Sequence, residues 1–210
     1  MRWKTAQWFE KRWWKNYLKD KTPVDYAAWK INYWNNFLDS IRFKPVAGCA
    51  VLDAGCGPAG IFMVLNDCNI TAIDPLLEDY DNALIHFNKS DYKHVDFRSS
   101  TIESLSDPAK YDAVFCINAI NHVANIDLAY FKLIDALKSG GKLILSIDSH
   151  NYALLKWLFR WLPLDILHPH QFSLAEYKSA LEHHGVSNVK TTLVKTGIIF
   201  NYYALVGEKV

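Results

Sequence analysis

The sequence predicts an α/β protein, a doubly wound and mostly parallel sheet with a helical extension at its N-terminus. From Ala47 onward, short apolar runs alternate with helical patterns, the order typical of a parallel sheet flanked by helices. Residues 1–44 show no strand alternation and repeat their apolar side chains at helical spacing. Half of the 210 residues are hydrophobic and 14% are aromatic, which is ample material for a packed core.

Two helices are predicted in the N-terminal segment, which we interpret as a helical lid or extension over 1–45, ahead of a main domain over 46–210. The second helix begins at Thr22-Pro23, a capping hydroxyl followed by a proline at the first helical position. The apolar residues that repeat along the first helix are Trp3, Ala6, Phe9, Trp13 and Tyr17. Those that repeat along the second are Val24, Ala27, Ala28, Ile31, Trp34, Leu38 and Ile41.

The main domain is predicted to contain alternating strands and helices. Strands are expected near 49–54, 69–74, 93–97, 111–117 and 142–148. Helices are expected near 59–66, 77–87 and 126–138, and from Ser173 to about His184. We expect the glycines of the segment 138–141 to end the third of these helices. Two strand-like runs, 188–195 and 197–209, are close enough along the chain to form a hairpin.

The charge balance gives no general attraction to a polyanionic partner. The formal net charge is +1, so we expect no strong nucleic-acid signal over the whole chain. Residues 1–21 are locally basic, with seven Lys and Arg against two acids, interleaved with aromatic side chains. A protein partner or weak contact with an anionic membrane surface explains this segment as well as nucleic acid does.

The cysteines and the hydropathy pattern favour a cytoplasmic protein. Four cysteines include no C-x-x-C pair, and we interpret them as reduced core thiols. The N-terminus lacks the apolar run of a signal peptide. The most apolar stretch, 152–167, is interrupted by charged residues and a proline, so no transmembrane segment is predicted.

A glycine-rich loop follows the first predicted strand and indicates a nucleotide-like ligand. Gly55, Gly57 and Gly60 fit G-x-G-x-x-G spacing, and Asp53 stands two residues before the first glycine. A carboxylate beside a pyrophosphate would be repelled, so the site suits a ligand with a positive group there. The ammonium at the amino acid end of S-adenosylmethionine is such a group, and this molecule has no phosphate.

A second acid is expected at the neighbouring strand. Asp74 ends the second predicted strand, where an acid holds the ribose hydroxyls in dinucleotide-binding folds. Adenosine is common to several cofactors, so Asp74 does not by itself separate them.

Four segments, taken in order and spacing, resemble class I S-adenosylmethionine-dependent methyltransferases. They are VLDAGCGPAG, AIDP, YDAVFCINAINHV and LKSGGKLILS, and the resemblance covers roughly 47–210. It implies a seven-stranded sheet whose last strand is antiparallel, with the cofactor across the carboxyl edge of the strands. It also implies S-adenosyl-L-methionine as cofactor and S-adenosyl-L-homocysteine as product.

The resemblance implies roles for individual residues. Asp74 would bind the ribose, and the backbone at Asn118 would face the methionine part of the cofactor. Thr101 and Ile102 stand where the family often has Asp-Ala beside adenine, so a threonine hydroxyl would replace the aspartate there. The full set of implied cofactor residues is Asp53, Ala54, Gly55, Cys56, Gly57, Asp74, Pro75, Thr101, Ile102 and Asn118.

The segment CINAINHV resembles a metal-binding pattern of ubiquinone-type O-methyltransferases, in which two glutamates precede a histidine. Asn118 and Asn121 replace both glutamates, and hard divalent cations prefer carboxylates, so we predict no catalytic metal. His122 is a candidate general base, with packing beneath the site as the alternative. Alignment of the acceptor with the methyl group supplies much of the rate, roughly 7–11 kcal/mol, without a base.

Two segments are candidates for acceptor binding. The apolar stretch 150–172 carries His150 and His170, and the second N-terminal helix carries Tyr33 and Trp34. We predict that these four residues contact a small, partly apolar acceptor that is methylated at oxygen, nitrogen or carbon. Three alternatives stay open: a methyltransferase of tRNA or protein, an NAD(P)-dependent oxidoreductase, and a non-catalytic binding module.

Overall fold

The computed structural model describes residues 2–150, 172–197 and 200–210. Its strands are β1 Ala50–Ala54, β2 Asn69–Ile73, β3 Val95–Arg98, β4 Tyr111–Ile117, β5 Leu137–His150, β6 Val186–Lys195 and β7 Phe200–Lys209. They form one sheet in the order β3-β2-β1-β4-β5-β7-β6. β7 runs antiparallel to β5 and β6, and the remaining pairs are parallel. The predicted seven-stranded sheet, its antiparallel last strand and the C-terminal hairpin are confirmed.

Five α-helices accompany the sheet within the described residues: α1 Arg2–Leu18, α2 Pro23–Ser40, α3 Leu77–Ala83, α4 Ile126–Asp135 and α5 Leu174–His183. The predicted start of α2 is confirmed, because the Thr22 hydroxyl accepts a 3.2 Å hydrogen bond from the Asp25 amide. α5 begins with a capping box in which Ser173 and Glu176 satisfy each other's backbone amides.

The helix predicted near 59–66 is wrong, because a short 3-10 turn, Ile61–Val64, takes its place. Its first three residues, Ile61, Phe62 and Met63, are consecutive and buried rather than spaced along one helical face. The Phe62 amide donates to the Asp53 carboxylate at 3.2 Å, which ties the turn to β1. Leu65 already leaves helical geometry, so that the chain can reach β2 a few residues later.

The helix predicted near 126–138 ends earlier, at Asp135, and the segment 138–141 belongs to β5. The carbonyls of Asp135 and Ala136 accept hydrogen bonds from the amides of 109–111, so the chain is drawn into the sheet at Leu137. The pairing of β4 with β5 is irregular there, between Tyr111 and Ala113. Smaller shifts affect the predicted helix 77–87, which ends at Ala83, and the strand 93–97, which begins at Val95.

Two hydrophobic clusters cover the two faces of the sheet. One joins the sheet to α1, α2 and α3 through large side chains such as Trp34, Phe37 and Tyr80. The other joins it to α4 and α5 through residues such as Tyr130 and Leu181. The carboxyl ends of β1, β2 and β4 therefore meet at one edge, which α1 and α2 approach from one side.

No helix among the described residues is both long enough and apolar enough to cross a membrane.

Candidate functional site

The loop after β1 needs glycine for two separate reasons. Gly55 and Gly57 have φ angles of +73° and +57°, in the left-handed region that other residues adopt at a cost. The amides of Gly55 and Cys56 both donate to the Ile73 carbonyl, at 2.8 and 3.1 Å. A Cβ on Gly55 would lie 2.3 Å from the Cβ of Ala119, so the loop also packs directly on the end of β4.

Asp53 lies beneath this loop and is almost completely buried. Its carboxylate accepts the Phe62 amide, and a Cβ on Gly60 would lie 2.3 Å from one of its oxygens. Burial raises the pKa of the Asp53 carboxyl to about 7, against the lowering effect of backbone amides and of the Lys30 charge. The acid that precedes the first glycine in the sequence is therefore a buried carboxyl whose pKa lies near neutral pH.

Asp74 ties the ends of β1 and β2 together. One of its oxygens accepts the Gly57 amide at 3.0 Å, and the other accepts the Leu76 amide at 2.8 Å. Burial, together with the nearby charge of Glu10, raises the pKa of Asp74 to about 7 against the lowering effect of the two backbone amides. The structure thus brings the predicted ribose acid within hydrogen-bonding distance of the predicted glycine loop.

The helix α2 covers the loop from one side. The buried Trp34 indole donates to the Ala59 carbonyl at 3.0 Å, which gives Trp34 a contact with the loop. The Lys30 ammonium lies 4.8 Å from the Trp34 ring centroid and 5.4 Å from that of Tyr33. Burial lowers the pKa of Lys30 to about 8, while the charge of Asp53 acts in the opposite direction.

A chain of hydrogen bonds connects α2 with the ends of β4, β5 and β7. Asn118 has a φ angle of +56°, and its amide donates to the Ser146 hydroxyl at 2.9 Å. The hydroxyls of Ser146 and Tyr202 are 2.7 Å apart, and the Tyr202 hydroxyl is hydrogen-bonded to that of Tyr33. Tyr33, predicted to contact the acceptor, is therefore tied to the edge where Asn118 lies.

The structure places the remaining predicted cofactor residues around the same edge. Ile102 is buried and Thr101 is half-buried at the start of a 3-10 turn, with the Thr101 hydroxyl 3.1 Å from that of Ser104. Pro75 is exposed directly after Asp74. Cys56 and Ala54 are buried within the glycine segment. Their roles in binding stay predictions.

His122, the candidate base, ends a 3-10 turn that follows Asn118, and its side chain is half-buried. Its amide donates to the Ala119 carbonyl at 3.0 Å. The buried Asn121 side chain accepts a hydrogen bond from the Tyr177 hydroxyl, so this residue joins α5 to the turn. His122 therefore lies near the carboxyl edge of the sheet. Asn121, by contrast, connects the turn to α5 through Tyr177.

Two predicted acceptor residues fall beyond what the structure describes. His170 and most of the apolar stretch 150–172 lie outside the described residues, and only the backbone of His150 is described, at the end of β5. Among the described residues, no group of three or more His, Cys, Asp or Glu is arranged to hold a metal ion. The absence of a catalytic metal stays a prediction.

Sequence reasoning missed several residues that the helices bring to the site. Lys30 lies four residues after Tyr26 and four before Trp34, on the buried stripe of α2. A charged residue on such a stripe was a usable signal, because lysine is rarely buried without a partner. Glu103 was missed as well; it accepts the amides of Ala124 and Asn125 at 2.7 and 3.2 Å and so orders the loop after β4.

The two buried acids around the loop fit a particular kind of ligand. Asp53 and Asp74 are buried carboxyls whose pKa values are raised, so each gains from a ligand that brings hydrogen-bond donors or positive charge. Phosphate groups would add negative charge beside both acids. The site therefore suits an adenosine-like ligand that carries hydroxyls and a cationic group and lacks phosphates.

Comparisons with known proteins agree with this geometry. Residues 45–194 match the family model described as a methyltransferase domain. A ubiquinone biosynthesis O-methyltransferase of Rickettsia bellii is 32% identical over 143 residues, which are 64% of this chain and 59% of that protein. The chain thus spans less than two thirds of the length of this relative.

Two solved structures share the fold at low sequence identity. The YcgJ protein of Bacillus subtilis superposes with a TM-score of 0.65 at 14% identity, over 83% of this chain and 97% of that one. Phosphoethanolamine N-methyltransferase 2 of Haemonchus contortus, solved with S-adenosyl-L-methionine, gives a TM-score of 0.64 at 14% identity, over 93% of this chain and 59% of that one. The chain therefore belongs to the methyltransferase domain family and has the class I fold of S-adenosylmethionine-dependent methyltransferases.

Proposed function

We propose that the protein binds S-adenosylmethionine and transfers its methyl group in line to a small, partly apolar acceptor. The observation that carries this proposal is the pair of buried acids, Asp53 and Asp74, at the ends of two adjacent strands around the glycine loop. When bound, the cofactor supplies an electrophilic methyl group on a sulfonium.

The residues of the loop would hold the cofactor by its two polar ends. Asp74 retains lone pairs for the ribose hydroxyls after accepting two backbone amides. Asp53 provides negative charge on the side of the ammonium, although its own hydrogen bonds point into the turn 61–64. Binding and orientation of the reactants are the main tasks of the protein, since alignment supplies much of the rate.

We favour a hydroxyl as the acceptor atom. This preference is supported by the relatives named as O-methyltransferases of ubiquinone biosynthesis. In this proposal, the acceptor lies near the carboxyl ends of β4 and β5, with Tyr33 among its contacts and His122 as the general base that takes the hydroxyl proton. Trp34, His150 and His170 stay predicted acceptor contacts.

Methyl transfer to catechols tests the proposal directly. The protein is incubated with S-adenosylmethionine and either protocatechuate or a catechol bearing a hexyl chain, and mass spectrometry detects the methyl ether. We expect product with both, and more with the hexyl compound. Because a general base typically contributes about 10²–10⁴-fold, His122→Ala should lower the rate about 100-fold and leave the affinity for S-adenosylhomocysteine unchanged.

Failure to methylate either catechol would remove the hydroxyl assignment. An unchanged rate in His122→Ala would instead assign this histidine to packing. Methylation of tRNA or of a protein in a lysate, without methylation of either catechol, would favour the macromolecular alternative. Stabilisation by NADH but not by S-adenosylhomocysteine would favour an oxidoreductase, and binding of neither would favour a non-catalytic module.

We also propose that α1 makes weak contact with an anionic membrane surface in the cytoplasm. Trp8 and Trp13 are about half exposed on α1, and Arg12 lies 5.7 Å from the Trp8 ring centroid. Co-sedimentation with phosphatidylglycerol vesicles, and none with phosphatidylcholine vesicles, is the expected result. The cytoplasmic prediction is supported by four free thiols.

A further inference from the structure

The helix α1 brings a second carboxylate to the ribose side of the glycine loop. Glu10 lies close enough to Asp74 for its charge to raise the Asp74 pKa, and it is not part of any motif in the main domain. We propose that Glu10 binds one hydroxyl of the cofactor ribose, so that α1 completes the nucleoside site. This inference rests on the proposed function, because it assumes an adenosine-containing cofactor at the loop.

Glu10 is held in place by two donors. The buried Tyr80 hydroxyl, on α3, donates to Glu10 Oε1 at 3.0 Å, and the Trp14 side chain forms a second hydrogen bond with the same carboxylate. An ion pair of 3.2 Å between Lys11 and Asp79 fastens α1 to α3 beside this cluster. These partners, which come from two helices, hold the partly buried Glu10 carboxylate in a fixed orientation.

The same turn of α1 touches the glycine loop. A Cβ on Gly57 would lie 3.7 Å from Cζ2 of Trp14, so the indole packs over the residue whose amide Asp74 accepts. Glu10 and Trp14 are four residues apart and project from the same face of the helix. The helix therefore approaches the loop at the position where Asp74 and Gly57 meet.

The electrostatics of the pair favour a ligand with hydroxyl donors. Burial raises the pKa of Glu10, as it does that of Asp74, so two carboxyls stand together where neither is fully solvated. Each ionised carboxylate has about four acceptor positions, and the protein donors found on Glu10 and Asp74 fill about half of them. A ribose diol brings two O–H donors, one for each carboxylate, and would offset the unfavourable burial of two neighbouring negative charges.

Calorimetry with ribose-modified ligands tests this inference. S-adenosylhomocysteine, methylthioadenosine and the two methylthioadenosine analogues that each lack one ribose hydroxyl are titrated into the full chain and into Glu10→Gln. Because a hydrogen bond to an ionised carboxylate is stronger than one to a neutral amide, we expect Glu10→Gln to weaken the binding of both parent ligands about tenfold or more. The deoxy analogue that lacks the hydroxyl bound by Glu10 has no contact to lose. Its affinities for Glu10→Gln and for the wild-type chain should therefore agree within about twofold. Asp20→Asn, which removes an exposed acid just after α1, is the matched control and should bind like the wild type.

The outcomes separate the inference from the proposed function. Equal weakening of every ligand in Glu10→Gln would show that Glu10 only supports the fold of the site, and unchanged or tighter binding would show that it merely covers the loop; either result overturns the inference. Failure of the wild-type chain to bind S-adenosylhomocysteine overturns the proposed function instead. If Glu10→Gln does not fold, Tyr80→Phe removes only the hydroxyl that orients Glu10 and should weaken methylthioadenosine about threefold, an effect absent with the same deoxy analogue.

Discussion

The two faces of the sheet differ most at the carboxyl edge. Beneath α1 and α2, β1 presents Asp53 and β5 presents Ser146, and both are fully buried. On the opposite face, under α4 and α5, the neighbouring positions of the same strands are aliphatic, as at Leu52, Leu145 and Ile147. Successive side chains along a strand point to opposite faces of the sheet. Asp53 and Ser146 therefore face the polar site, whereas the residues next to them in the sequence face an ordinary apolar core. From this difference we expect substitutions on the polar face to affect ligand binding and those on the aliphatic face to affect stability.

The largest expected effect is on ligand binding at the polar face. Asp74→Ala removes the acid that joins Gly57 and Leu76 and that would bind the ribose. Losing hydrogen bonds to a charged group costs about 1.5–3 kcal/mol each, so affinity for S-adenosylhomocysteine should fall by more than about 100-fold. Isothermal calorimetry measures this, and near-native affinity would remove Asp74 from the site.

The opposite face should respond in stability and not in affinity. Leu145→Ala deletes a fully buried side chain, and such deletions cost about 2–5 kcal/mol of the free energy of unfolding. The folded fraction should bind S-adenosylhomocysteine as the wild type does. Urea denaturation and calorimetry at low temperature provide the two measurements. A loss of affinity comparable to that of Asp74→Ala would contradict the division between the faces.

Alanine variants of two glycines distinguish the cost of backbone strain from the cost of a steric clash at the loop. Gly55→Ala and Gly48→Ala place an alanine at φ angles of +73° and +78°, which costs about 1–2 kcal/mol in either position. The new Cβ meets Ala119 at 2.3 Å in the first variant and nothing within 4 Å in the second. We expect Gly55→Ala to lose about 1–3 kcal/mol more of the free energy of unfolding than Gly48→Ala, because an extra methyl group in a packed region forces its neighbours to move. Equal denaturation midpoints would show that the loop does not pack on β4.

A further expected effect is a pH-dependent gain of stability in Asp53→Asn without ligand. The folded-state pKa of Asp53 is raised to about 7, above the ordinary carboxyl value of about 3.9. Its stabilising contribution is therefore complete below about pH 4 and is lost as the pH rises through about 7. The asparagine variant should melt at a higher temperature than the wild type at pH 8, by a margin that shrinks toward pH 4. A margin independent of pH would contradict the raised pKa.

Much of the fold was predictable because the pattern of apolar runs is local. The sheet, its antiparallel last strand and the start of α2 at Thr22 follow from strand alternation, family motifs and capping chemistry. The helix expected near 59–66 was not predictable from spacing alone, because a tertiary hydrogen bond from Phe62 to Asp53 shapes that turn. The end of α4 also depends on long-range partners, the amides of 109–111.

The site was only partly predictable for a similar reason. Asp53 lies near the end of β1, and the glycines and Asp74 follow the ends of β1 and β2, so their meeting at one edge follows from parallel topology. Lys30, Glu10 and the Tyr33–Tyr202 hydrogen bond come from helix docking, which sequence periodicity does not specify. Residues on covering helices are thus the part of the site that needs a structure.

The measurement that tests the central claim most directly is a calorimetric titration of the full chain with S-adenosylhomocysteine and, separately, with NADH. Binding of one S-adenosylhomocysteine per chain, with no heat from NADH, is the result that the buried acids at the glycine loop predict. Binding of NADH in preference to S-adenosylhomocysteine, or of neither, would contradict it.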